Sequence, residues 1–260
     1  MKYELVKELS IEYEERHLFR IRALKDFGNV KAGDLGGWIE EETNLFQVGD
    51  SWIGENAKVL AGSYVGGNAI VSGNAVVKGG CVVRDDAKVL DNAVILNNCV
   101  VRDKAIVKDN AKLEDTCVAK GNAVVSENAS IYCASVVMHN AKVSGYATVT
   151  KSSVVKGKAT ITDNAIITIE SIIMDKAKVF NNAYITQSHV EENAEVKRNA
   201  TVRDSVIKGE AKISGNSFIL SSTIMENAEI IDTAVHSSRV AGDVRIARGG
   251  TFSNACININ

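Results

Sequence analysis

Several basic side chains of this sequence recur at a regular spacing and could bind an anion. The series consists of Arg84, Arg102, Lys120, Lys156 and Lys208. Its first three members are equally spaced along the chain, so a repeating fold would bring their charges close together. Stacked positive charges repel one another unless an anion or an acidic side chain lies between them. The series therefore predicts either ion pairs with the nearby Asp85, Asp103 and Asp175, or a site for an anionic small molecule such as a nucleotide or the phosphates of coenzyme A.

Cysteine side chains share the same spacing, but their pattern favours a structural role. Cys81, Cys99 and Cys117 follow one another at the same interval as the basic series, and serine takes the equivalent position elsewhere in the chain. In-register neighbours in a strand stack are about 4.8 Å apart, which exceeds the usual Cβ separation of a disulfide. We therefore expect reduced thiols that pack as small side chains. We predict no metal site and find no phosphate-binding loop, dinucleotide fingerprint or serine-nucleophile elbow.

The elements that would position these residues follow from a six-residue repeat. Every sixth residue from Ala57 to Ala183 is Ala, Ser or Cys, and two residues later comes an aliphatic side chain, with the small Ala119 as the exception. A small and a β-branched residue separated by one position alternate with a period of two, which predicts a very short strand with both side chains inward. The residue before the small one is often Asn, which tolerates the left-handed backbone of a corner. Each hexad therefore predicts one strand and one corner.

A second period gives the number of sides. At every third hexad from Ser63 to Ser171 the small residue is Ser or Cys instead of Ala, so three strands and their corners, or three complete hexads, make one coil. After Ser171 the marker recurs at Ser188, Ser205 and Ser222, which predicts that each later coil is one residue shorter than three hexads. The predicted fold class is all-β: a single-stranded, three-sided parallel β-helix over residues 45–260, with a small β-rich cap over residues 1–44.

One outward column of this β-helix is predicted to be selectively apolar. Its members, one residue after each marker, are Tyr64, Val82, Val100, Val118, Val136, Val154, Ile172, Val206 and Val240. His189 stands between Ile172 and Val206 in the same column, whereas the equivalent column on the next side mixes aliphatic and charged residues. A long exposed apolar stripe favours aggregation unless it is covered, and a second copy of the chain would cover it. The column therefore predicts a homo-oligomer, either a dimer or a trimer.

The first 44 residues pose a different packing problem, because they are richer in aromatic side chains than the repeat. The stretch from Leu18 to Leu24 indicates a strand, and the glycines before Trp38 indicate tight turns. The first coil of a β-helix would otherwise expose unpaired strand edges, so we expect this segment to cover them. The alternative is a binding pocket built from Trp38, Arg20 and Arg22.

Composition excludes several functional classes. The chain has no proline, so each residue keeps the backbone N–H that a continuous strand ladder needs. A net charge of -2 gives no electrostatic basis for binding nucleic acid. No apolar stretch is long enough for a signal peptide or a membrane span, so we expect a cytoplasmic protein with no membrane contact.

The repeat and the N-terminal segment also resemble a known family. An aliphatic residue followed four positions later by a small one, as in Val59 and Ser63, resembles the hexapeptide repeat of left-handed β-helix proteins. The segment RIRALKDFGNVKAGDLGGWIEEETNLFQVGDSWIGENAKV resembles the start of the YdcK-like proteins, uncharacterised hexapeptide-repeat proteins of bacteria and phages. The resemblance implies a left-handed helix and an acyltransferase that uses coenzyme A. It also implies a histidine as general base, a role that only His189 fits by position.

Two functional hypotheses follow. The first is a non-catalytic homo-oligomer that needs no cofactor and binds a partner protein or sequesters an anionic, nucleotide-like molecule in grooves between subunits; in a phage-borne protein this would serve counter-defence. The second is an acyltransferase that uses acetyl-CoA. The repeat from residue 57 to 183 contains no inserted loop, and no helix follows it, whereas acyltransferases of this kind use such a loop near the acyl carrier. The sequence therefore favours the first hypothesis.

Overall fold

The computed structural model describes residues 1–247 and 249–259; Arg248 and Asn260, both within the predicted β-helix, lie outside the described residues. Over these residues the regular structure consists of β-strands and a short 3-10 helix, Glu42–Asn44, with no α-helix. The all-β parallel β-helix predicted from the repeat is confirmed. The chain forms two compact units, Met1–Asn128 and Ala129–Asn260, which are described separately. The boundary between residues 44 and 45 and the left-handed sense stay predictions.

Short strands make up the first unit. Their bounds are β1 (Tyr3–Tyr13), β2 (Arg16–Ala23), β3 (Leu35–Ile39), β4 (Trp52–Ile53), β5 (Lys58–Leu60), β6 (Tyr64–Val65), β7 (Ile70–Val71), β8 (Val76–Lys78), β9 (Val82–Val83), β10 (Lys88–Val89), β11 (Val94–Leu96), β12 (Val100–Val101), β13 (Ile106–Val107), β14 (Lys112–Glu114), β15 (Val118–Ala119) and β16 (Val124–Val125). In this unit sheet 1 has the order β1-β2-β3-β5-β8-β11-β14, sheet 2 the order β4-β7-β10-β13-β16 and sheet 3 the order β6-β9-β12-β15. From β4 onward, successive strands thus visit the three sheets in turn.

The second unit repeats this scheme. Its strands are β17 (Ser130–Tyr132), β18 (Val136–Val137), β19 (Lys142–Val143), β20 (Thr148–Val149), β21 (Val154–Val155), β22 (Thr160–Ile161), β23 (Ile166–Thr168), β24 (Ile172–Ile173), β25 (Lys178–Val179), β26 (Tyr184–Thr186), β27 (His189–Val190), β28 (Glu195–Val196), β29 (Thr201–Arg203), β30 (Val206–Ile207), β31 (Lys212–Ser214), β32 (Phe218–Leu220), β33 (Thr223–Ile224), β34 (Glu229–Ile231), β35 (Ala234–His236), β36 (Arg239–Gly242), β37 (Arg245–Ala247), β38 (Thr251–Ser253) and β39 (Cys256–Ile259). Sheet 1 here runs from β17 in steps of three strands to β38, sheet 2 from β19 to β37, and sheet 3 from β18 to β39.

The interior of each unit is built from the two inward positions of the repeat. In strand β10, for example, Val89 and the preceding Ala87 have no exposed surface. Val89 lies directly opposite Val71 in one neighbouring strand and Val107 in the other, so like side chains stack along the interior. Burying apolar surface stabilises the folded state by about 25 cal/mol per Å². Small and aliphatic side chains of neighbouring coils therefore fill the core together.

The corners explain why the repeat shortens. Between sheets 1 and 3, the corners as far as Glu170 have two successive residues with positive φ, such as Asn97 at 56° and Asn98 at 60°. From Gln187 onward, the same corner has one such residue, with φ 48° at Gln187 itself. Left-handed backbone suits Asn, Asp and Gly, which are common at these positions. Deleting one left-handed residue at this corner shortens the spacing between hydrogen-bonded serines to 17 residues, as between Ser171 and Ser188.

The Ser or Cys marker has a structural task at this corner. Ser171, which is fully buried, donates its hydroxyl to the carbonyl oxygen of Thr168 at 2.6 Å and accepts the backbone N–H of Ser188 at 3.3 Å. In the first unit a thiol takes the acceptor role, since the N–H of Cys117 lies 3.2 Å from the Sγ of Cys99. The marker therefore supplies an acceptor for a buried backbone N–H at each of these corners.

We expect Ser171→Ala to destabilise the second unit by about 1–3 kcal/mol, because the buried N–H of Ser188 would lose its acceptor. Ser171→Cys is the matched control, since sulfur fills the equivalent position in the first unit. Chemical denaturation followed by circular dichroism measures both variants. Equal stability of the alanine and cysteine variants would show that the side-chain acceptor does not matter.

The N-terminal strands cover the first coil, as the exposed-edge argument expects. Strands β1 and β2 form an antiparallel hairpin, β2 pairs antiparallel with β3, and β3 pairs parallel with β5 of the first coil. The hydroxyl of Tyr3 lies within hydrogen-bond distance of the carbonyl oxygens of Glu42 and Leu45, at 2.8 and 2.9 Å. Strand β3 thus changes the pairing from antiparallel in the cap to parallel in the repeat.

Candidate functional site

The apolar column predicted for the first unit lies on sheet 3. Tyr64, Val82, Val100 and Val118 stand opposite one another in register, and each side chain is half-buried. The ring of Phe46 packs against Tyr64 with centroids 5.7 Å apart and is itself 53% exposed. The column is thus one continuous apolar strip within this unit, with a second aromatic side chain at its N-terminal end.

The corresponding strip of the second unit is also on sheet 3, with one correction. Its members in register are Val136, Val154, Ile172, His189 and Val206. The prediction for Val240 is wrong, because Val240 is fully buried and Arg239 takes the outward position opposite Thr223. The spacing from Ser222 to Ser238 is 16 residues, one fewer than in the preceding coils. Applying the earlier coil length to this coil therefore reaches the inward Val240 instead of the outward Arg239.

The basic series lies beside the apolar strip, and its first members face acidic corners. Arg84 and Arg102 approach Asp85 and Asp103 at 4.0 and 3.8 Å. Each carboxylate also accepts a backbone N–H from the next coil, Asp85 from Asp103 at 3.2 Å and Asp103 from Gly121 at 2.9 Å. The aspartates are therefore structural acceptors that compensate the arginine charges only partly, and the side chain of Arg84 stays 46% exposed.

The lysines of the series are half-buried in their own coils. Lys120 lies in the first unit, and Lys156 and Lys208 lie in the second. Within residues 1–247 and 249–259, none of the three forms an ion pair, in contrast to Arg84 and Arg102. Methionines or a glutamate occupy the intervening positions, so the strongest concentration of positive charge is the run Arg84, Arg102 and Lys120 in the first unit.

His189 is placed outward and exposed, as the repeat predicts. It stands between Ile172 and Val206 on sheet 3. In the described part of the chain, no side chain hydrogen-bonds to its imidazole and no carboxylate forms an ion pair with it. A general base is normally oriented by a partner group, and among the described residues no side chain takes that position beside His189.

The cap residues form a smaller cluster than the sequence suggests. Arg20 lies opposite Trp38 across strands β2 and β3, and its guanidinium stands 4.9 Å from the ring centroid. The buried Nε of Arg20 has no hydrogen-bond partner among the described residues. Arg22 instead forms an ion pair with Glu4, 2.8 Å from Nε to Oε1. Arg20 and Trp38 therefore make a cation-π pair, and Arg22 belongs to a separate surface contact.

A buried lysine at the start of the chain has no counterpart in the sequence predictions. The ammonium of Lys2, which is 1% exposed, donates to the carbonyl oxygen of Ser51 at 2.8 Å and to that of Gly49 at 3.3 Å. Burial lowers the pKa of Lys2 to about 8, although the charge of Asp50 acts in the opposite direction. Contacts between residues so distant in sequence leave no local signal by which Lys2 could have been found.

The lowered pKa of Lys2 predicts that alkaline conditions stabilise the first unit. Between pH 8 and the unfolded value near 10.4, the unfolded chain binds the proton that the folded chain has released, so the free energy of unfolding rises with pH. We expect a gain of about 1.5 kcal/mol from pH 8 to about pH 9.5, below the range in which Tyr3 ionises in the unfolded chain. Urea unfolding followed by tryptophan fluorescence measures it. Lys2→Met should abolish the rise.

A further surface was missed by the sequence analysis. Sheet 1 of the second unit presents Ile166, Tyr184 and Phe218 on its outer face, and they are among the most exposed large apolar side chains of that unit. Each of them comes one residue after the small residue of its strand, namely Ala165, Ala183 and Ser217. Comparing equivalent outward positions from coil to coil, as for sheet 3, would therefore have revealed them.

No family model matches the chain. A protein of Escherichia coli (strain K12) named "Uncharacterized acetyltransferase YdcK" is 46% identical to it over 52 residues. That match spans 20% of this chain and 16% of the relative.

The repeat, the register of the parallel strands and this local similarity agree with one another. The chain is a hexapeptide-repeat β-helix. In this β-helix the described residues include no helix long and apolar enough to cross a membrane. The similarity is confined to a small part of each chain.

Proposed function

We propose that this β-helix is a non-catalytic homo-oligomer that holds an anionic, nucleotide-like molecule in a groove between subunits. The observation that carries the proposal is the pairing of two columns in the first unit. The apolar strip of Val82, Val100 and Val118 runs beside the exposed or half-buried basic side chains of Arg84, Arg102 and Lys120. A second subunit on the strip would form a groove lined with positive charge.

The basic side of this groove keeps part of its charge for a ligand. The contacts from Arg84 to Asp85 and from Arg102 to Asp103 are at 4.0 and 3.8 Å, too long for hydrogen bonds. The carboxylates already accept backbone N–H groups, which fixes them at the corners. Guanidinium groups that are partly exposed and incompletely paired are well suited to phosphate, which they bind through two parallel N–H groups.

A ligand experiment tests the proposal. We expect ATP or a cyclic dinucleotide at millimolar concentration to raise the melting temperature, and Arg84→Gln combined with Arg102→Gln to remove the rise. Lys88→Gln combined with Lys142→Gln is the control, because these exposed lysines lie on sheet 2. The proposal fails if no nucleotide shifts the melting temperature of the unmodified protein, or if the control variant loses the shift equally.

A second candidate is acetyl transfer from acetyl-CoA, which the named activity of the Escherichia coli relative favours. His189 would accept the proton of an acceptor hydroxyl or amine as that group attacks the thioester carbonyl, and coenzyme A would leave as the thiol. A neighbouring subunit would have to supply the group that orients the imidazole. Release of coenzyme A thiol that His189→Ala abolishes would establish this activity and overturn the non-catalytic proposal.

A further inference from the structure

The second unit carries an apolar column on sheet 1 that the proposed function does not use. Ile166, Tyr184 and Phe218 are 39%, 37% and 36% exposed. Ile166 stands opposite Tyr184, and Thr201 lies in register between Tyr184 and Phe218. Neighbouring strands are about 4.8 Å apart, so the two aromatic positions are separated by roughly 10 Å along a straight line.

The column is extended sideways by a third ring. The imidazole of His236 packs against Phe218 with ring centroids 5.6 Å apart and an interplanar angle of 66°. His236 lies on strand β35, next to the strand of Phe218, and it is half-buried. The rings of Phe218 and His236 thus restrict each other's motion on the face of the sheet. Less side-chain entropy is then lost when a ligand binds them.

A ladder of asparagine side chains runs along one edge of this column. The ladder consists of Asn164, Asn182, Asn199 and Asn216. Each Nδ2 donates to the Oδ1 of the next amide, at 3.1, 3.0 and 3.0 Å in order. A carboxamide offers two N–H donors and two acceptor lone pairs, so each inner amide retains one donor and one acceptor for an outside group. The edge therefore repeats the same neutral hydrogen-bonding pair at every coil.

The opposite edge is also polar. Arg203 is exposed and forms an ion pair with Asp204 at 3.2 Å. Beside Tyr184 on the same strand, the Oγ1 of Thr186 is buried and has no hydrogen-bond partner among the described residues. The apolar column is therefore bordered by the amide ladder on one side and by an exposed ion pair on the other.

We propose that this face binds an extended, neutral, β-1,4-linked oligosaccharide. A pyranose ring has apolar C–H faces and hydroxyl groups around its rim, which matches aromatic rings flanked by amides. One sugar of an extended β-1,4-linked chain is about as long as one strand spacing, so a periodic ligand stays in register with a periodic surface. In such a chain every second sugar turns the same face to the sheet. The rings of Tyr184 and Phe218, which are two strands apart, would therefore contact equivalent faces of alternate sugars. The neutral amide ladder favours an uncharged chain.

Binding of chitohexaose and cellohexaose, measured by isothermal titration calorimetry, tests the proposal. We expect at least one of them to bind, and α-linked maltohexaose, which curls into a helix, not to bind. Tyr184→Ala combined with Phe218→Ala should weaken binding at least tenfold, whereas Tyr184→Phe, which keeps the ring, should retain it. Phe46→Ala is the control for loss of an exposed aromatic ring, because Phe46 is 53% exposed but belongs to the first unit, and it should not affect binding.

Each single alanine variant is measured as well, so that loss of folding in the double variant does not decide the outcome. The proposal is overturned if neither β-linked hexasaccharide binds the folded protein, if maltohexaose binds as tightly, or if the Phe46 control loses the same affinity. A lower molar mass of the folded double variant would show instead that a second copy covers this face. The test is independent of the nucleotide experiment, which concerns sheet 3 of the first unit.

Discussion

Replacing Gly37 with alanine will destabilise the cap by about 2–3 kcal/mol or prevent it from folding. A Cβ atom at this position would lie 2.5 Å from the carbonyl oxygen of Ala57 and 2.7 Å from the Cγ2 of Ile53. Strand β3 passes so close to the first coil because it pairs with β5, where Trp38 stands opposite Lys58. Backbone oxygen cannot move aside as a flexible side chain can, so the strand itself would have to shift.

Gly54→Ala is the matched control, because its added Cβ would meet nothing closer than 3.6 Å. Both tryptophans of the chain, Trp38 and Trp52, lie in the first unit, so their fluorescence reports unfolding of that unit directly. We expect the urea midpoint to fall for Gly37→Ala, and we expect the free energy of unfolding of Gly54→Ala to stay within about 0.5 kcal/mol of the original. Equal midpoints for the two variants would show that β3 is not held against the first coil.

The interior of the fold could be predicted because its information is local. A small residue and a β-branched residue two positions apart, such as Ala87 and Val89, determine by alternation which side chains point inward. Every coil repeats that signal, so errors at one hexad do not propagate. The Ser and Cys markers located one corner type for the same reason, although their role as acceptors for buried N–H groups required the coordinates.

The sequence predictions are wrong or missing where the position of a residue depends on a distant residue or on an irregular corner. Val240 was placed outward because a constant coil length does not register the shorter spacing between Ser222 and Ser238. Lys2 gives no local sign of burial, since its ammonium meets the carbonyl oxygen of Ser51, 49 residues away. The separation of Arg22 from Arg20 depends on Glu4 in the neighbouring strand of the hairpin. Sequence periodicity contains none of these long-range contacts.

For the candidate site, too, the sequence predicts the direction of a side chain but not its surroundings. The repeat correctly predicts that His189 and Arg84 point outward, because direction follows from alternation. It does not reveal what surrounds them. Asp85 beside Arg84 already accepts a backbone N–H, and His189 has apolar neighbours in register on both sides. Whether such residues bind or catalyse depends on groups that a second subunit would bring.

Introducing charge into the apolar strip of the second unit should therefore break the oligomer while leaving the β-helix intact. In Val154→Asp combined with Ile172→Asp, the new carboxylates would stand opposite each other on the outer face of sheet 3, where both parent side chains are half-buried. Burying an unpaired carboxylate in an interface costs several kcal/mol, and each 1.4 kcal/mol weakens association about tenfold. We expect light scattering to give a molar mass close to the 27.9 kDa of one chain.

The control places the same two charges on another side of the same coils. Lys142→Asp combined with Thr160→Asp puts carboxylates opposite each other on sheet 2, in strands β19 and β22. This variant should keep the molar mass of the unmodified protein, and circular dichroism should be unchanged in both variants. An unmodified protein that already has the mass of one chain, or an equal loss of mass in the control, would show that the sheet 3 strip is not a subunit contact. Loss of assembly in the first variant alone would locate that contact on the same sheet as the proposed anion groove.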